Sequence, residues 1–331
     1  MNNTFKVLSI DGGGIRGLIP AVFLEEIEKT VKKPIWEYFD LICGTSTGGI
    51  IALAVAVGKP VSEIRELYEK KGSEIFPPIK NWELHKKITR LLRVFCGEGG
   101  RYCVSPLTRI LEKTFSVEDK PLRMKDAKTL LCIPSIDIAT GKVVVFKTPH
   151  KVVHPANESF FNDAEKEIWK VARATTAAPF FFASAGINAS YYIDGGLWAN
   201  NPSLVGIVEA RRCGYELNEI SLLSLGTGNS ILQVPSSKAK RMNVLNWQLG
   251  IIELAFEVQS QAVENQVCQL LMPENNMRIQ YTFNKNIGLD DVRRLDDLIV
   301  AGNSLCREHR EKVVEEFFQA PAKRECSKNG G

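Results

Sequence analysis

The sequence predicts an α/β protein: a central, mainly parallel sheet flanked by helices, with a helical C-terminal extension. Three observations carry this reading. The first 60 residues alternate strand and helix, the joints between them are rich in glycine, and the composition (44% apolar, 24% charged) is that of a globular chain. Residues 5–10 start strand-like, with 7–10 as the buried part, and Asp11-Gly12-Gly13-Gly14 closes the run. Residues 18–31 carry apolar Leu18, Val22, Ile27 and Val31 with acids between, which reads as a packed helix. The next strand is read at 39–43, and an apolar helix at 48–57 ends at Gly58 and Pro60. Strands that alternate with helices pair in parallel, because the chain must cross back over the sheet. Further strands are expected at 130–136, 143–146, 191–193 and 221–225.

Length and charge bound the rest. The 331 residues can bury a large core without disulfide staples. The balance of 42 basic against 38 acidic residues is too even to mark a DNA or RNA binder. The longest apolar run, Ile50 to Val57, is far short of the roughly 20 residues a membrane span needs. No secretory pattern opens the chain. The eight cysteines contain no C-x-x-C pair and no histidine clusters beside them, so free thiols in the cytoplasm and no metal site are expected. The texture divides the chain into a catalytic unit at 5–228 and a mostly helical region at 229–331. The latter holds a polar linker at 229–243, an amphipathic helix at 244–271, a strand-like 277–283 and a final helix at 291–318. Within the first unit, 61–106 reads as a lid or interfacial insertion. There Leu84, Ile88, Leu91, Leu92 and Phe95 share a helical face flanked by Lys86, Lys87 and Arg90.

Three motifs carry chemistry. Gly44-Thr45-Ser46-Thr47-Gly48 is a G-x-S-x-G set between a strand and a helix, where a tight turn projects a serine hydroxyl above the sheet. Asp11 to Gly17 also lies at a strand end opening a helix. Gly12-x-Gly14-x-x-Gly17 matches the dinucleotide fingerprint, which makes a nicotinamide or flavin enzyme the first rival. However, the next strand runs into the serine elbow and not to a ribose-binding acid. Beside that elbow, Gly12, Gly13 and Gly14 are better used to offer bare N–H groups to an oxyanion. Arg16 would orient this loop or a lipid phosphate, or simply start the helix. The third motif is Asp194-Gly195-Gly196, at the end of a strand. A serine needs a base. Of the four histidines, His85, His150 and His154 precede Asp194, and His309 sits on the C-terminal helix as a surface residue. Asp194 is therefore the candidate base, in a Ser46–Asp194 dyad.

Together the motifs resemble the patatin-like phospholipases: a glycine-rich oxyanion loop, a nucleophile elbow and a D-G-G element, in that order and spacing. Arg173-Ala174-Thr175-Thr176-Ala177-Ala178-Pro179, Asn200-Asn201-Pro202 and Ser224-Leu225-Gly226-Thr227-Gly228 are similar to further segments of that family. The resemblance implies a lipid acyl hydrolase that uses no metal and cleaves membrane phospholipid, working peripherally at the inner membrane surface. Compact bacterial members that look like this include anti-phage effectors switched on by a cyclic dinucleotide. Lys238, Lys240, Arg241 or the basic 80–101 segment are then candidates to bind such an activator. A constitutive lipase or esterase and an acyltransferase are the chemically adjacent alternatives, and a homo-oligomer is left open.

Overall fold

Phe5–Ile10 forms β1 and Leu41–Gly44 forms β2 parallel to it, with Val7 opposite Leu41 and Ile10 opposite Gly44. Both strands are almost wholly buried, as expected for a parallel sheet covered on both faces. The computed structural model describes residues 4–78, 100–150, 163–230 and 250–323. Ser116–Val117 (β3) and Lys120–Pro121 (β4) pair with each other; Leu130–Asp137 is β5, Ile220–Leu225 is β9 and Asn276–Ile279 is β11. The parallel core of the sheet runs β11, β9, β1, β2, β5. Lys142–Lys147 (β6) and Ser190–Asp194 (β8) are antiparallel to β5, and Ala185–Ile187 (β7) is antiparallel to β8.

Alternate strand residues face two apolar layers. Leu8, Ile10, Ile42, Leu131 and Leu223 point into one, beside α1 (Leu18–Val31), α2 (Thr47–Ala56), α3 (Val61–Ile75), α4 (Val104–Thr114), α5 (Ile168–Thr175) and α9 (Leu295–Phe317). Phe5, Val7, Leu41, Cys43 and Leu222 point into the other, against α7 (Ser203–Arg212) and the later turns of α8 (Gly250–Leu270). A short helix, α6 (Gly196–Ala199), follows β8 and packs on α8.

Most elements fall where the sequence puts them, and α1 has the expected bounds. Strand β2 starts two residues late. Phe39 turns toward the rings of Phe317 and Phe318, and the Asp40 carboxylate accepts the Lys6 N–H at 2.8 Å. The strand-like 277–283 splits in two. Its first part, β11, joins the main sheet, while Thr282–Phe283 (β12) pairs with Asn229–Ser230 (β10). Between them the Gln280 side chain accepts the Gly228 N–H at 2.8 Å and donates to Asn229 at 2.7 Å. The region after 228 thus supplies an edge strand as well as helices. Of the 61–106 stretch, α3 packs on α1 and buries Val61, Ile64, Leu67 and Tyr68. The 84–95 segment with Lys86, Lys87 and Arg90 lies outside the described residues, as do Lys238, Lys240 and Arg241.

Candidate active site

The chemistry-bearing residues meet where β1, β2 and β8 end, the usual place for a site in such sheets. Ser46 links β2 to α2 with φ 53° and ψ −123°, a conformation costly for a residue with a side chain. Its neighbours hold it there. The Ser46 N–H donates to Thr175 Oγ1 at 2.9 Å, and Thr175 donates onward to the Pro134 carbonyl at 2.7 Å. Thr45 donates to the Ala199 carbonyl at 2.5 Å, and the Thr47 and Tyr68 hydroxyls lie 2.5 Å apart. A Cβ on Gly48 would overlap the Ile10 carbonyl, so only glycine lets α2 start this close to β1.

Ser46 Oγ donates to Asp194 Oδ2 at 2.6 Å. The other carboxylate oxygen, Oδ1, accepts the Gly196 N–H at 2.8 Å, so both are oriented. Asp194 is fully buried. That burial pushes its carboxyl up to about 7, against the opposing pull of the Ser46 hydroxyl and the Gly196 N–H. A carboxylate with that pKa, bonded to a serine hydroxyl, is matched to proton transfer near neutral pH.

The glycine loop lies alongside. Asp11 N–H donates to the Leu225 carbonyl and Gly12 N–H to the Asn200 carbonyl, both at 3.0 Å. The Gly12 carbonyl accepts from Thr227 Oγ1 at 2.8 Å and Asn200 Nδ2 at 3.3 Å. This corrects the expectation for Gly12: its N–H is spent inside the protein and cannot serve an oxyanion. Gly13 and Gly14 N–H make no hydrogen bond among the described residues, leaving two donors. Arg16 is buried, with the charges of Glu253, Glu257 and Asp11 acting on it.

An apolar pocket opens beside Ser46, walled by Ile50, Leu67, Ile75, Leu107, Phe181 and Phe182. It suits an acyl chain whose carbonyl would reach Ser46. Among the described residues no group of three or more His, Cys, Asp or Glu side chains could hold a metal ion.

The Patatin-like phospholipase family model matches residues 8–206, which include the glycine loop, the elbow and Asp194. The chain belongs to the patatin-like phospholipase family. It is 30% identical to a cGAMP-activated phospholipase of Vibrio cholerae over 98% of this chain and 97% of that one. With a cGAMP-activated phospholipase of Escherichia coli it shares 36% identity over 71% of this chain and 66% of the other. A calcium-independent phospholipase A2-gamma of Oryctolagus cuniculus is 28% identical over 95% of this chain and 39% of that longer protein. Members of the family are hydrolases of lipid esters, and a phospholipase A-type activity follows for this chain.

The patatin-like motifs thus converge in space as their spacing implies, bringing Ser46, Asp194, Gly13 and Gly14 together. The histidines do not join them. His150 is buried against the Glu209 carboxylate (2.8 Å) and the Thr148 carbonyl (2.7 Å), and His309 sits partly exposed beside Glu308. His85 and His154 lie outside the described residues. The sequence alone signals no role for Thr175, Asn200 and Thr227, although each lies in a segment the resemblance singles out. Nor does it signal Arg278. A lone arginine in a short strand carries no local signal.

Proposed function

We propose that this chain hydrolyses acyl esters of membrane glycerophospholipids through a Ser46–Asp194 dyad, and that a cyclic dinucleotide of the cGAMP kind switches it on. The observation that carries the chemistry is the 2.6 Å bond to a buried aspartate from Ser46, which lines an apolar pocket. Asp194 takes the hydroxyl proton as Ser46 Oγ attacks the ester carbonyl. Gly13 and Gly14 N–H groups face the oxyanion, each contributing about 3 kcal/mol. Collapse of the tetrahedral intermediate expels the lysophospholipid oxygen, which receives that proton from Asp194. Water then adds to the acyl-enzyme with Asp194 as base, releasing fatty acid and restoring Ser46.

Gating is supported by the names of the Vibrio cholerae and Escherichia coli relatives. An activator must bind the open state more tightly than the closed one. Action at the inner membrane surface, through the 84–95 segment, belongs to the same reading. Among the described residues no helix is long and apolar enough to cross a membrane. The test is hydrolysis of a fluorogenic phospholipid in vesicles with and without cGAMP. The reading expects a rise of about tenfold or more at saturation. A rate that is high without nucleotide and unchanged by it would favour a constitutive lipase. Transfer of the acyl group to added lysolipid in place of fatty-acid release would favour an acyltransferase.

A further inference from the structure

We infer that Arg278, delivered by the C-terminal region, is a positioning residue for the oxyanion loop. The inference rests on the reading of Ser46 as nucleophile and of Gly13 and Gly14 as oxyanion donors. Strand β11 lies outside the stretch matched by the family model, yet its register sets Arg278 beside Ser224, which in turn lies beside Ser9 of β1. From there the guanidinium reaches Asp11, the first residue past β1. Nη1 donates to Oδ1 at 2.9 Å and Nη2 to Oδ2 at 2.6 Å, a two-pronged fit that fixes the carboxylate's direction as well as its distance. Nη1 also donates to Ser224 Oγ at 2.8 Å, and Glu264 lies 3.6 Å from Nε. The side chains are 10% and 2% exposed, so the pair is largely shielded from solvent.

The consequence runs through the backbone. Asp11 is joined directly to Gly12, whose N–H and carbonyl are both bonded within the protein. A shift of Asp11 has no slack to absorb it before Gly13 and Gly14. Without Arg278, Asp11 keeps only the Ser260 hydrogen bond and the charge of Arg16, which favours protonation or a swing outward, because a poorly compensated buried carboxylate is strongly disfavoured. Arg278 touches neither Ser46 nor the pocket, so its effect on catalysis passes through the loop. It also ties the loop to the part of the chain after 228, beside α8.

The test uses Arg278→Lys, which keeps the charge and loses the fork. On a soluble short-chain ester, kcat should fall about 10- to 100-fold, as for a displacement near 1 Å. KM should stay within about twofold of wild type. The rate at which a fluorophosphonate labels Ser46 should fall in parallel, since its phosphoryl oxygen uses the same N–H groups. The double variant Asp11→Asn/Arg278→Met removes both charges of the pair, leaves Arg16 with Glu253 and Glu257, and carries the test if the lysine variant unfolds. It should keep its fold and still show low kcat. Wild-type kcat in either folded variant, or a loss confined to KM, would overturn the inference. Labelling that persists in Ser46→Ala would fault the nucleophile assignment and not the role of Arg278.

Discussion

Thr175 accepts the Ser46 backbone N–H at 2.9 Å and donates its own proton to the Pro134 carbonyl at 2.7 Å, so α5 holds the serine turn against β5. Thr175→Val keeps the shape and removes the acceptor. A buried N–H left without a partner costs about 1–3 kcal/mol, so the melting temperature should drop by several degrees. The elbow loosens with it, and kcat on a soluble ester should fall about tenfold or more. Calorimetry together with steady-state kinetics checks both. Wild-type values in both would deny the threonine this role.

Asp194 must be ionised to accept a proton, and burial sets its pKa at about 7. kcat/KM on a soluble ester should therefore rise with pH through about 7 and level off above it. A rising limb centred near 4 would mean the carboxyl is not held in a dry environment.

The same carboxyl has a sign in stability. Its pKa is raised from 3.8, so the folded state holds a proton that the unfolded state has lost between those values. Stability associated with this group is present at low pH and is lost as pH rises through about 7. Asp194→Asn should then be more stable than wild type at pH 8, by about 3 °C or more in melting temperature. The gap should narrow at pH 5. Thermal unfolding of both proteins at the two pH values is the check, and a variant less stable at pH 8 would contradict it.

What was legible in the sequence was local. The run 5–10, the helix 18–31 and the serine elbow announce themselves through periodicity and glycine placement, and the structure puts them there. Asp194 was legible because an acid ending a strand, with no histidine following in a suitable place, left few other bases. The supports were not legible, because each joins residues far apart in the chain. Asn200 and Thr227 grip Gly12 from segments remote in the chain, and Arg278 reaches Asp11 over 267 positions. The break at Gln280 has no local signal for the same reason. Its side chain bonds to Gly228 and Asn229, which only the folded sheet brings near.

Gly14 combines φ +57° with a backbone contact: a Cβ there would overlap the Leu289 carbonyl oxygen. Gly14→Ala should displace one of the two free N–H groups and reduce kcat about 10²- to 10³-fold. Far-ultraviolet circular dichroism should stay native. Activity within a few-fold of wild type would show that this donor is not used.

Leu67 and Leu107 both line the apolar pocket and are buried. Leu67→Trp should shorten the space for an acyl chain. Hydrolysis of long-chain esters should fall about tenfold, while a four-carbon ester is cut at near the wild-type rate. An unchanged chain-length profile would place the acyl chain elsewhere.

The central claim is that Ser46 and Asp194 together cleave phospholipid acyl esters. Mass spectrometry of mixed phospholipid vesicles incubated with wild type, Ser46→Ala and Asp194→Asn, each with cGAMP present, tests it most directly. The account predicts free fatty acid and lysophospholipid with wild type, and neither above background with the two folded variants. Undiminished release by either variant would contradict it.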